Sequence, residues 1–105
     1  MLFRSDLVQV GKIGESAALA RHVHESLITR LRRGHDEVTD LGVKRGPFYV
    51  LVGAYMPCVL VETAFLTHPV EGRRLAQEDY RADIAEGLYT GIAGFLGDGR
   101  RRRTL

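Results

Sequence analysis

Apolar residues recur along this chain at two different periods, and the change of period marks out its elements. At the start Leu2, Phe3, Leu7 and Val10 fall at helical spacing, so residues 2 to 10 read as the end of a helix. After Gly11 and Gly14 a longer stripe follows, Leu19, Val23, Leu27 and Leu31, with Ser16 as N-cap and Gly34 as stop; it predicts a helix over 16–33. The other faces of that helix carry Arg21, Glu25, Arg30, Arg32 and Arg33, the pattern of a surface helix lying on a core. Residues 35 to 46, "HDEVTDLGVKRG", hold turn-forming Asp and Gly and predict a loop.

The period then changes. Two short runs rich in β-branched and aromatic residues, "FYVLV" at 48–52 and "CVLVE" at 58–62, are continuous rather than alternating and predict strands covered on both faces. The "GAYMP" link between them is too short for a parallel crossover, which takes about a dozen residues, so these neighbours are expected to be antiparallel and the sheet mixed. Pro69 opens a short helix, "PVEGRRLA", with Thr67 or His68 as its cap. A last helix from Asp79 to Leu96 carries Tyr80, Ile84, Leu88, Ile92 and Phe95 along one stripe. Gly87, Gly91 and Gly94 each weaken it by up to about 1 kcal/mol relative to alanine, so their presence predicts close packing against another backbone. The fold class that follows is α/β, a partial mixed sheet flanked by helices.

The 105 residues allow one modest core, and 45% apolar with 27% charged residues is an ordinary globular composition. No apolar run approaches the roughly 20 residues of a membrane span, and an acid at Asp6 is unlike a signal peptide, so no targeting signal is read in this chain. The net charge of +2 would be −2 without Arg100 to Arg103. Those arginines follow "GDG", and residues 98–105 are expected to form a disordered basic tail after a domain over 1–97. Four adjacent residues make too narrow a basic face for a nucleic-acid partner, so none is expected. Cys58 permits no internal disulfide and reads as a small buried hydrophobe. A catalytic zinc wants about three protein ligands. His22 and His24, two apart on a helix, point about 200° away from each other and cannot chelate together, so they read as surface residues. His35, beside Asp36 and Glu37, reads as solvated, and His68 as a helix cap or surface residue. No nucleophile elbow, phosphate loop, dinucleotide fingerprint or C-x-x-C pair occurs.

What remains is Glu62, a carboxylate ending the apolar run Val59, Leu60, Val61. Burying an unpaired charge costs several kcal/mol, so such a group is paired, shifted in pKa, or placed at a site mouth. Two readings stand: an acid or base with a chemical role, or a structural carboxylate that accepts backbone N–H bonds or pairs with Lys44 or an arginine.

The ordered series "ESAALA", "DLGVKRGPFYVLVGAYMPCVLVETAFLTHPVEGRRL" and "YRADIAEGLYTGIAGFL" resembles the C-terminal half of the catalytic domain of the zinc-dependent N-acetylmuramoyl-L-alanine amidases, bacterial cell-wall hydrolases. The resemblance covers nearly everything from Leu2 to Leu96. It implies part of a three-layer α/β/α domain, peptidoglycan as partner, and hydrolysis of the amide bond between N-acetylmuramic acid and L-alanine. Within it Glu62 matches the glutamate that ends the family's strand, with the implied role of general base and then acid beside a zinc. The family's zinc ligands precede the point where this chain starts, so zinc is implied for a longer parent and none is expected in this chain alone; Met1 is then expected to be internal to a longer gene product. The resemblance also implies a periplasmic or extracellular parent, an isolated chain without activity, and an exposed sheet edge that favours self-association. The rival expectation is a non-catalytic peptidoglycan-binding or regulatory remnant of the fold. One departure is His68, where the family usually has Asn before the proline.

Overall fold

The computed structural model describes residues 2–7, 13–45, 56–63 and 69–103, and within these the chain alternates short strands with longer helices. Three strands, β1 (Leu2–Leu7), β2 (Thr39–Arg45) and β3 (Leu60–Glu62), form one sheet in the order β2-β1-β3. β1 is parallel to β2 and antiparallel to β3, so the sheet is mixed, as the sequence led one to expect. The helices are α1 (Ile13–Gly34), α2 (Pro69–Ala76) and α3 (Glu78–Arg103). The strand expected over 48–52 lies outside the described residues.

Two predicted elements are corrected. Residues 2–7 are a strand, not the end of a helix, and they form the middle of the sheet. Residues 39–45 are a strand, not loop: Thr39 pairs with Leu2 and Arg45 with Leu7. The turn chemistry read in this segment is real but serves another purpose. Between the pairs Phe3–Asp40 and Ser5–Val43 the register shifts, so β2 spends one residue more than β1. At this irregularity Gly42 adopts a φ of 78°, which side chains other than glycine's tolerate poorly, and the Asp40 carboxylate accepts its N–H at 2.7 Å. Asp40 and Gly42 thus build a bulge inside a strand.

α1 starts one turn before the predicted N-cap. Ser16 lies inside the helix, buried, and its Oγ accepts the Cys58 N–H at 3.1 Å, tying the lead-in of β3 to α1. The acid Glu15 in the first turn and Arg32 and Arg33 in the last suit the helix dipole. Beyond Gly34, the His35 N–H donates to the Leu31 carbonyl at 2.9 Å and closes the final turn. Val23, Leu27, Ile28 and Leu31 of α1 form the core with Val38 and Tyr80, and Leu19, Val61, Leu75, Ile84 and Leu88 pack around them. Each large side chain so buried contributes about 1.5–3 kcal/mol.

Gly87 and Gly91 of α3 behave as expected, and Gly94 does not. A Cβ built on Gly87 would lie 2.8 Å from Leu27 Cδ2 and 3.1 Å from its Cα, and one on Gly91 would lie 2.6 Å from Val23 Cα. α3 and α1 therefore approach backbone to backbone, whereas Gly94 faces the His22 ring rather than a main chain. α3 continues as helix to Arg103, so helix occupies 98–103 where a disordered tail was expected.

Candidate functional site

β3 places Glu62. Val61 joins the core beneath the sheet, and side chains of successive strand residues point to opposite faces, so Glu62 stands on the face turned away from that core. Its neighbours Leu60 and Val61 are half-buried, as is Glu62 itself, which corrects the expectation of a strand covered on both faces. In the register of the sheet Glu62 is paired with Arg4 of β1. A carboxylate can thus end an apolar run without entering the core: Val59 to Val61 carry the strand, and the alternation turns position 62 outward at its end. Cys58 is half-buried rather than enclosed.

His24 and His35 are placed otherwise than the sequence suggested. His24 is buried, not on the surface, and its Nε2 is hydrogen-bonded to the Asp40 carboxylate of β2. His22 is half-exposed on another side of α1, its Nε2 2.8 Å from Asp98 and its ring edge-on to Phe95. His35 is not solvated: its Nε2 donates to Asp83 at 2.9 Å, and its ring meets Tyr80 with centroids 4.7 Å apart. Arg30 adds a second clamp on Asp83 at 3.0 Å and reaches Glu86 at 2.9 Å. The hydrogen bond from His35, with the Arg30 guanidinium beside it, holds the Asp83 carboxyl below the usual carboxylate range. The bond to His24 does the same for Asp40, helped by the Gly42 N–H. Sequence reasoning missed these three pairs because each acid lies 16 or more positions away, on a different element.

Each of these histidines is thereby committed to an aspartate of its own. Among the described residues no group of three or more His, Cys, Asp and Glu is placed to hold a metal. The described residues therefore do not fit a zinc centre by themselves. His68 lies outside the described residues.

Comparison with known proteins agrees with this geometry. The chain is 34% identical over 91 residues to the N-acetylmuramoyl-L-alanine amidase AmiA of Salmonella typhimurium, covering 87% of this chain and 30% of that protein. Its fold superposes on the crystal structure of the N-acetylmuramoyl-L-alanine amidase from Clostridium difficile 630 with a TM-score of 0.78 at 27% identity, over 90% of this chain and 48% of that one. It superposes on the amidase AmiC2 of Nostoc punctiforme with a TM-score of 0.75, also at 27% identity and over the same shares. The chain thus spans about half the length of these solved chains and less than a third of the Salmonella protein. Residues 8–94 match the family described as N-acetylmuramoyl-L-alanine amidase. With that match running across β3 and Glu62, the chain belongs to the N-acetylmuramoyl-L-alanine amidase family.

Proposed function

We propose that this chain supplies part of a peptidoglycan amidase, an enzyme that cleaves the bond between N-acetylmuramic acid and L-alanine, and that Glu62 is its proton-transferring group. The observation that supports this most is the position of Glu62: half-buried at the end of β3, on the outer face of the sheet, within the stretch matched to the family. There the carboxylate takes a proton from the water that attacks the amide carbonyl, and it returns one to the departing L-alanine amine. A positioned acid–base of this kind contributes about 10²–10⁴-fold to such a step. The zinc that the family implies is held by residues outside those described, because these offer no suitable donor set. A periplasmic or extracellular site of action follows from the substrate.

The test has two arms. In the longest gene product containing this chain, identified by reading the DNA upstream of the Met1 codon, stem peptides released from purified peptidoglycan with a free L-alanine amino terminus are measured by mass spectrometry. Glu62→Gln is expected to abolish release while the bound zinc stays unchanged; undiminished release removes Glu62 from the role. In the second arm residues 1–105 alone are incubated with peptidoglycan. If residues 1–105 alone bind the wall saturably and the longest gene product hydrolyses nothing, the non-catalytic wall-binding reading replaces the enzymatic one.

A further inference from the structure

Among the described residues two polar side chains are fully enclosed, Ser16 and His24, and both belong to α1. A hydroxyl or an imidazole taken out of water needs a partner inside the protein. Both of these reach toward the sheet. The Ser16 Oγ accepts the Cys58 N–H at 3.1 Å, two residues before β3 begins, and the His24 Nε2 meets the Asp40 carboxylate at the bulge of β2. β2 and β3 are the two neighbours of β1, so one helix grips the sheet on either side of its middle strand.

The two grips fall at the two ends of β3. Asp40 is level with Phe3 and Glu62 with Arg4, adjacent positions of β1, so the His24 grip lies across the sheet from the carboxylate. The Ser16 grip lies at the other end, four residues before Glu62. The eight residues from Ser16 to His24 rise ~12 Å along a helix, and four steps of extended chain advance ~13 Å, so α1 matches the length from Cys58 to Glu62. β3 has only three residues, and a slip of one residue sends every side chain of a strand to the opposite face. Slipped, Glu62 would turn into the core and Val61 out of it. The packing of Val61 is apolar and non-directional, whereas the bond from the Cys58 N–H exists at one position of the chain alone.

We propose that Ser16 and His24 are positioning residues for Glu62. Ser16 locks the register of β3, and His24, through Asp40, holds the bulge level with the carboxylate, so that Glu62 stays on the outer face at one depth. Neither side chain touches the reacting groups, since both lie on the core side of the sheet and Glu62 stands on the other. The catalytic consequence rests on the reading of Glu62 as the proton-transferring group; the register lock stands without it. A reacting group misplaced by about 1 Å can cost on the order of 10²-fold in rate, so a hydroxyl remote from the chemistry can still govern it.

Amide hydrogen exchange and turnover of soluble peptidoglycan fragments, both measured on the longest gene product containing this chain, test this. Ser16→Ala is expected to speed exchange over residues 56–63 by about tenfold or more and to lower kcat by about 10- to 100-fold, with KM within about twofold of the wild type. Ser16→Thr, which keeps the hydroxyl, is expected to recover most of both. His24→Leu is expected to lower kcat likewise, with its faster exchange over 39–45. Ile28→Val, an apolar truncation in the core face of the same helix, is the control for lost stability and is expected to leave kcat in place. Unchanged exchange over 56–63 in Ser16→Ala overturns the register lock. A loss of kcat no greater than that of Ile28→Val overturns the positioning role and leaves the bond to Cys58 as a stabilising contact only. If the wild type has no turnover, or Glu62→Gln retains it in full, the reading of Glu62 fails and catalytic positioning with it; exchange over 56–63 judges the register lock in either case.

Discussion

Replacing Gly91 by alanine should destabilise this protein although it improves the helix. In the interior of a helix alanine is favoured over glycine by about 1 kcal/mol, so α3 considered alone gains. The added Cβ, however, would lie 2.6 Å from Val23 Cα, 2.9 Å from the His22 carbonyl oxygen and 3.0 Å from the Val23 nitrogen. Carbon atoms rest in contact at about 3.5–4.0 Å, so α1 must retreat by about 1 Å at this point, and main chain cannot swing aside as a flexible side chain does. Overpacking of this kind typically costs 1–3 kcal/mol, and here the displaced element carries Val23 and Leu27 of the core. The net loss is expected to reach up to about 2 kcal/mol, which for a domain of this size lowers Tm by up to roughly 16 °C. Gly97→Ala on the same helix is the internal control: its Cβ meets nothing within 4 Å, so it is expected to stabilise by up to about 1 kcal/mol. Urea and thermal unfolding followed by circular dichroism resolve differences of this size. Should Gly91→Ala prove as stable as Gly97→Ala, the close approach of α1 and α3 would be refuted.

Acid should act on the aspartates clamped by histidines. The carboxyl of Asp83 is held below its ordinary value by the hydrogen bond from His35 and by Arg30, and that of Asp40 by the bond to His24. A carboxyl with a lowered folded-state pKa contributes stability that is complete above its unfolded value, about 3.9, and is lost as pH falls through the folded value. The urea midpoint of the wild type is therefore expected to fall below about pH 4, and Asp83→Asn should flatten that dependence; an unchanged slope would exclude Asp83 as a contributor. Ser16→Ala removes the acceptor of the Cys58 N–H and should cost about 1–2 kcal/mol in denaturant unfolding, while Ser16→Thr, which keeps the hydroxyl, should cost less.

The helices were legible in the sequence because their signals are local. The stripe Leu19, Val23, Leu27 and Leu31 and the glycines at 87 and 91 each report on a face within a few turns, and both faces met as their spacing required. The strands were less so. Leu2, Phe3 and Leu7 suit a short helix as well as a strand, and what makes 2–7 a strand is pairing with 39–45 and 60–62, which no window around position 5 contains. Asp40 and Gly42 misled in the opposite sense, since turn residues within a strand can also mark a bulge. Of the candidate site, the place of Glu62 at a strand end could be read directly, because it closes the apolar run Val59, Leu60, Val61, whereas the half-burial of that strand could not. The partners of His22, His24 and His35 could not, for nothing at those positions announces an aspartate brought in by tertiary packing.

The place of β1 in the sheet has a consequence for the timing of assembly. β1 precedes both of its partners in the sequence: one neighbour ends at Arg45 and the other is the very segment that carries Glu62. Until those partners have been synthesised, residues 2–7 lack the neighbours they pair with in this sheet, and among the described residues β2 and β3 are joined only through β1. The sheet can close only after position 62 has left the ribosome tunnel. Placement of the carboxylate therefore waits on pairing between β3 and a strand far earlier in the sequence, and a chaperone engaging residues 2–7 would delay the site rather than the helices.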